Sequence, residues 1–206
     1  MIINMEPTAE IRRLLDVMPA SGRMMTKVVS KPEQAYVIDS PFPMPWSQAR
    51  PIFSNVDMWR RLSKPQRDLL LLRTVSWLIG VKWFKPDIYQ GIVVAGLLGG
   101  TIQLLQGDTV GVIVAGGLTA LAGTRIWSST RSQGSELNAD EAAIRVAQRR
   151  GYTETEAAEQ LLSAVETVAR LEGRPNLDFT ELIRCQNLRA LAGLSPVCVP
   201  DTFKRD

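Results

Sequence analysis

The sequence predicts an α+β fold, mainly helical, with a small N-terminal β-element and a two-helix transmembrane hairpin inserted in mid-chain. Three observations carry that reading. Short β-type runs separated by prolines occupy the region from Met24 to Asn55. Two apolar, glycine-rich segments, 88–105 and 109–126, each hold about 18 residues with no charge before Arg125. Most of the rest has apolar residues at helical spacing between recognisable caps. The chain divides accordingly into 1–86, a hairpin over 87–127, a helical part over 128–192 and a flexible tail over 193–206.

Ile11 to Val17 forms a short amphipathic helix that Pro19 stops. Lys27–Ser30, Ala35–Ile38 and Pro51–Ser54 are the β-type runs. Pro41, Pro43 and Pro45 lie in the long turn between the later two, where neither helix nor central strand can form; Trp46 tucks that turn down. Val56 to Leu62 is a short helix. Ser63 then caps a longer one over 65–84, with Pro65 in the first turn, where a missing N–H costs little. Leu69, Leu70, Leu71 and Leu72 surround this helix with apolar groups, so it is deeply buried or partly embedded. Arg73 is the exception on it. Trp77, Lys82, Trp83 and Lys85 make an aromatic and basic end suited to a membrane surface, with Arg125 and Trp127 at the far end of the hairpin.

A helix needs roughly 17–25 apolar residues to span a bilayer, and both central segments reach that range. Gly107-Asp108 turns the hairpin. Gly91 and Ala95, Gly96 and Gly100, and Ala115, Thr119 and Gly123 recur at four-residue spacing, beside Gly116 and Gly117; small residues so placed let two helices approach closely. A hairpin buried in protein is the alternative, since glycine disfavours water-exposed helices. Lys82 and Lys85 precede the pair and Arg125 and Arg131 follow it. The positive-inside rule therefore places both termini in the cytoplasm. Ser135 caps a helix that runs to Arg150 and ends at Gly151. Thr153, with Glu156 three residues on, opens the next. Gly173-Arg174-Pro175 breaks it, and Phe179–Leu191 is a last short helix.

Composition narrows the function. The net charge is +3 with 24 Lys and Arg, and these are scattered in pairs without interleaved aromatics, so nucleic acid is not an expected partner. Cys185 and Cys198 are too few for a disulfide framework or a zinc site, which fits reduced thiols. The charged N-terminus is not a signal peptide. There is no histidine at all. Ser76 and Cys185 therefore have no imidazole base, and no cofactor is implied.

Two stretches carry a family likeness. Arg50-Pro51-Ile52-Phe53-Ser54-Asn55 through Trp59-Arg60-Arg61-Leu62-Ser63 resembles the strand and short helix before the active-site helix of the HtpX/Ste24-type (M48) membrane metallopeptidases. Glu136-Leu137-Asn138-Ala139-Asp140, with Gly151-Tyr152 and Ala157 to Leu162, resembles their third-ligand helix and the helix after it. The likeness covers roughly 27–171 and implies a degenerate zincin-like fold, with a membrane hairpin between the two motifs. It implies that Glu136 stands where a zinc ligand does and Asp140 where its orienting acid does. The departure is central. Where the family has His-Glu-x-x-His, this chain has Arg73-Thr74-Val75-Ser76-Trp77, a fixed cation and an indole that cannot ligate metal. The chain is also similar to a family of cyanobacterial membrane proteins, which implies a thylakoid or plasma membrane.

Glu136 and Asp140 share one helical face. Either they complement the helix dipole, or Arg73 pairs with one of them and replaces the metal as a cross-link. The expectation is a catalytically inactive, membrane-anchored peptidase-like protein. Its partners are the lipid bilayer and membrane proteins or a multi-subunit membrane complex, in assembly, scaffolding or quality control. A permanent structural subunit of such a complex is the alternative, and an enzyme using neither zinc nor histidine is a third.

Overall fold

The computed structural model describes residues 7–44, 49–81, 88–106, 109–130 and 133–195. It is mainly helical, with one three-stranded sheet, so the α+β class holds. The chain forms two compact units, one from the segments up to Val81 and from Gln133 onward, the other from the intervening hairpin.

In the first unit, α1 (Pro7–Val17) and α2 (Ala20–Met25) precede β1 (Thr26–Ser30). The α2 helix was not expected from its sequence. Gly22 lies within it and is buried, and a Cβ there would come within 2.6 Å of Val75 Cγ1. The close approach of α2 to the helix carrying Val75 thus requires a residue that disfavours helices. β2 (Ile38–Asp39) and β3 (Arg50–Ser54) complete the sheet in the order β1-β3-β2. β1 runs parallel to β3 with Val28 opposite Ile52, and β2 runs antiparallel with Ile38 opposite Ser54. β2 is shorter and later than the expected 35–38 run; Val37, just before it, accepts from Asn55 N–H at 3.0 Å and donates its own N–H to Glu172 Oε1 at 2.9 Å. Pro51 sits where only β1 pairs with β3, and the Ser40 hydroxyl donates to its carbonyl at 2.8 Å.

Asn55 caps α3 (Val56–Trp59) by accepting from Asp57 and Met58, while its amide donates to the carbonyls of Pro32 and Gln34. Helix α3 is shorter than the expected run to Leu62, because 60–62 close as turns. Ser63 and Gln66 form a reciprocal capping box for α4 (Lys64–Gly80), with Pro65 in the first turn. Leu69, Leu71, Leu72, Val75 and Leu78 on α4 are all at most 1% exposed. Of the two readings for this all-round apolar helix, burial in protein is the one found. It packs against α7 (Gln133–Gln148), α8 (Glu154–Leu171), α1 and α2. Ser135 does not cap α7 but lies inside its first turn. α8 starts with the Thr153–Glu156 box, and α9 (Phe179–Leu191) with an unforeseen one from Asp178 and Glu181. Gly151, Gly173 and Gly193 take positive φ after α7, α8 and α9.

The second unit is α5 (Ile88–Gln106) and α6 (Thr109–Thr130). The expected transmembrane hairpin is corrected here: among the described residues, no helix is long and apolar enough to cross a membrane. Gly91, Gly96, Gly99, Gly100 and three glutamines dilute the apolarity of α5, as Gly111, Gly116, Gly117 and Arg125 dilute that of α6. The two-span topology, with both termini in the cytoplasm, falls with it.

The packing glycines divide. A Cβ on Gly96 would come within 2.2 Å of Thr119 Oγ1 and 3.3 Å of the Ala115 carbonyl, and one on Gly100 would rest 3.6 Å from Ala115 Cβ. These two form the seam. Gly91 and Gly116 face open space and contribute nothing to it. Gly123, Arg125 and Trp127 lie on α6, but their surroundings are outside the description; Trp46, Lys82, Trp83 and Lys85 are outside the described residues.

Candidate functional site

Among the described residues, the expected metal-site positions Arg73, Glu136 and Asp140 converge at the crossing of α4 and α7. Arg73 projects from α4 toward α7. On α7, Leu137, Asp140, Ile144 and Ala147 repeat at three- and four-residue steps and are buried, so Asp140 occupies a core position in an otherwise apolar stripe. It is 0% exposed. A carboxylate there requires charged partners, and two guanidinium groups supply them. Arg184, from α9, forks onto it: Nε donates to Oδ2 at 2.8 Å and Nη2 to Oδ1 at 2.9 Å. Arg73 Nε lies 3.6 Å from Oδ1, while Arg73 Nη2 pairs with Glu136 Oε2 one turn earlier on α7. Glu136 and Asp140 therefore meet a cation instead of merely decorating a helix end.

The cluster contains two guanidinium groups and two carboxylates. Burial, helped by the like charge of Arg184, pushes Arg73 down to about 9, against the pull of Asp140 and Glu181. At neutral pH it is still a cation. Burial also acts to lower Arg184, but the Asp140 charge and its forked hydrogen bonds prevail and raise it. This is the geometry in which arginine excels, because its planar fork matches a carboxylate.

The other expected positions do not join the cluster. Thr74 turns its hydroxyl back onto its own helix, donating to the Leu70 carbonyl at 2.9 Å. Trp77 packs on the core and meets Phe42 edge-on, with centroids 6.0 Å apart. Its indole N–H is buried without a hydrogen-bond partner. A membrane-surface role for it does not fit that burial. Cys185, next to Arg184, is 1% exposed, and burial pushes its thiol up to about 11, which makes it a poor nucleophile. Among the described residues, no group of three or more His, Cys, Asp or Glu side chains is placed to hold a metal ion.

A second polar network lies across α1 and α4. Arg13 bonds Glu10 through Nε at 2.9 Å and Nη2 at 2.7 Å, and pairs with Asp68 through Nη1. The Tyr152 hydroxyl donates to Asp68 at 3.0 Å, and burial and the Asp68 charge push that phenol up to about 12. Arg150 donates to the Val17 and Met18 carbonyls at the end of α1. This network fastens the N-terminal helix. The apolar cleft beside it contains one carboxylate, Glu10, already engaged by Arg13 and Arg67.

Sequence reasoning missed Arg184, Asp68 and Arg13. A signal existed for the first: Arg184 and Leu188 share the inner face of α9 as Asp140 and Ile144 share that of α7. Two opposite charges misplaced on two apolar stripes are a reason to pair them.

Fold and site together define a helical α+β body, held across its core by a buried ion cluster and interrupted by an apolar helical hairpin. A family model described as "protein of unknown function (DUF3318)" matches residues 12–152, and the chain belongs to that family. The match spans Arg73, Glu136, Asp140 and the hairpin, and stops before Arg184. No curated protein and no solved structure matches the chain.

Proposed function

We propose that this chain is a non-catalytic protein-binding module on a degenerate, zincin-like peptidase frame. It would act in the assembly, scaffolding or quality control of other proteins. One observation carries this: the Arg73 guanidinium lies against Glu136 and Asp140, on the faces where the family likeness puts the metal and its ligands. A fixed cation there opposes a metal ion, and no imidazole exists to compete for it. The order of elements supports the frame: strand β3, short helix α3, capped α4, the hairpin, then the Glu136 helix and α8.

The binding function rests on the hairpin, whose large apolar side chains are exposed on both helices. Patches of that extent on a protein surface mark interaction sites. Its uniform apolarity also favours a second reading, a permanent structural subunit, because obligate interfaces are the more apolar ones. Full-length protein, supplied with zinc and then dialysed, is expected to retain no stoichiometric metal by elemental analysis and to leave unfolded casein intact. One tightly held zinc per chain with chelator-sensitive cleavage would overturn the proposal. Capture from native extracts then separates the two binding roles: sub-stoichiometric partners support assembly, and a constant one-to-one partner supports the subunit.

A further inference from the structure

β1 is an edge strand, paired with β3 on one side only. The register, with the Lys31 N–H donating to the Ser54 carbonyl at 2.8 Å, fixes which of its peptide groups face inward. Those of Lys27, Val29 and Lys31 turn to β3, and those of Val28 and Ser30 turn away from it. At the start of the strand α2 closes the edge, where the Thr26 N–H and hydroxyl both donate to the Gly22 carbonyl. Beyond that point, among the described residues, no hydrogen bond reaches the peptide groups of Val28 or Ser30. Two N–H and two C=O groups therefore stand in a row with the spacing of a β-ladder.

The side chains beside this edge define what fits it. Val28 and Ser30 line the apolar cleft under α1, together with Ile11, Leu14 and Trp59. A strand laid against β1 puts its residues opposite Val28 and Ser30 on the cleft face. The cleft has a volume of about 330 Å³ including its open mouth, and its one carboxylate, Glu10, is engaged by Arg13 and Arg67. An aliphatic side chain entering it meets no free charge. On the other face of β1, Lys27 and Lys31 are exposed, with the Lys31 ammonium 5.4 Å from the Phe53 ring centroid. Acidic residues opposite them make favourable cross-strand pairs. A second copy of β1 does not: antiparallel pairing of Val28 with Ser30 sets Lys27 against Lys31, and like charges directly opposite repel.

We propose that β1 takes up an extended segment of a partner protein as a fourth strand, with aliphatic side chains over the Ile11–Leu14 cleft and acidic ones opposite Lys27 and Lys31. Main-chain bonds to Val28 and Ser30 hold the segment, and the alternating side chains select it. The proposal deepens the protein-binding reading above and rests on it. It uses the edge of the sheet opposite β2, and it does not involve the hairpin or the Arg73 cluster.

The test is fluorescence anisotropy of the labelled peptide Ser-Glu-Leu-Thr-Leu-Glu-Ser with the full chain in dodecyl maltoside. Its palindromic order fits either strand direction, and saturable binding at roughly 10–100 µM is expected. Two N-methylated versions keep every side chain: one is methylated on both leucines, the other on the threonine and the second glutamate. An antiparallel strand needs the leucine N–H groups and a parallel one the other pair, so one version should lose about tenfold in affinity and the other little. Ser30→Pro removes an outward N–H without touching the β1–β3 ladder and should also weaken binding about tenfold. Lys27→Glu/Lys31→Glu should weaken it to a similar degree, about tenfold, and favour Ser-Lys-Leu-Thr-Leu-Lys-Ser instead. No binding at about 1 mM would overturn the proposal, as would equal affinity of the two methylated peptides or indifference to the charge reversal. Binding that appears only after residues 1–6 are removed would make this chain's own N-terminus the occupant and overturn it too. Partners still captured from extracts in that case would leave the protein-binding reading standing without this edge.

Discussion

Breaking the Arg73–Glu136 contact in steps tests whether it acts as a cross-link between α4 and α7. The magnitude lies between two limits. Exposed ion pairs contribute about 0–1 kcal/mol, and losing one member of a fully buried pair costs about 3–5 kcal/mol. The side chains of Arg73 and Glu136 keep 19% and 22% exposure, so the pair is mostly, but not wholly, desolvated. Arg73→Met preserves apolar bulk and leaves Asp140 with its Arg184 fork, so about 2 kcal/mol is expected. Glu136→Gln leaves Arg73 with Asp140 and should cost about 1 kcal/mol. Once Arg73 is gone, Glu136 has lost that partner, and its substitution should then cost little. The double variant should therefore lose about 2 kcal/mol instead of about 3, a coupling near 1 kcal/mol. Urea unfolding followed by helical circular dichroism and tryptophan fluorescence gives these values from the midpoints at constant slope. Losses that add to within about 0.5 kcal/mol would refute the cross-link. Asp140→Asn calibrates the scale: it strips the forked bonds from Arg184, which is 8% exposed, so about 3–5 kcal/mol should be lost.

Three further expectations follow from the packing and the carboxylates. Gly22→Ala gains roughly 0.5–1 kcal/mol in helix preference, but its Cβ meets Val75 Cγ1 at 2.6 Å, so a net loss of about 1 kcal/mol is expected. Val75→Ala should relieve it, and equal losses in both backgrounds would refute the contact. Gly96→Ala should loosen the α5–α6 seam and speed proteolysis of the hairpin, whereas Gly100→Ala, at an ordinary 3.6 Å contact, should not; equal rates would refute the seam. Glu10 and Glu181 are held below the ordinary 4.5: burial acts to raise each, but Arg13 and Arg174 outweigh it. A depressed folded pKa gives stability that is full above about 4.5 and lost as pH falls through the folded value. The midpoint of thermal unfolding should therefore fall more steeply below pH 4.5 in wild type than in Glu10→Gln/Glu181→Gln. Parallel acid slopes would refute both ion pairs.

What the sequence revealed was local. Ser63 with Gln66 and Thr153 with Glu156 lie three residues apart, so each box satisfies helix-end groups from within the segment that shows it. The β-runs at 27–30 and 51–54 were equally visible, but the bounds of β2 were not, and the Val37 N–H just before it bonds the Glu172 carboxylate, 135 residues away. No window on the strand reports such a partner. Helix α2 was hidden for a similar reason, since Gly22 reads as a breaker until Val75 appears beside it. The pairing of Arg73 with α7 was legible because Arg73, Glu136 and Asp140 each stood out on an apolar or ordered helix. Arg184 was not, because an arginine on a short amphipathic helix is ordinary until the opposite stripe is found to contain a carboxylate. The hairpin shows the opposite error. A run without charge invites a membrane span, although glycine and glutamine dilute it.

In the proposed reading, the cluster also explains why the frame could persist without metal. A structural or catalytic zinc joins helices through several short bonds and supplies two positive charges to its carboxylates. One guanidinium supplies a single charge, which leaves a buried Asp140 beside Glu136 undercompensated. Arg184 removes that deficit by adding a second cation from α9, and two guanidinium groups then face two carboxylates. The exchange has a consequence for reversibility. Placing a histidine at position 73 alone would remove one of the two cations and supply a single nitrogen ligand. A zinc site would need at least one further nitrogen, with Trp77, now packed against Phe42, as the position one turn on. Each intermediate would leave a buried carboxylate or an unfilled core. On that proposed reading the exchange would be hard to reverse, because no single substitution would supply a metal site.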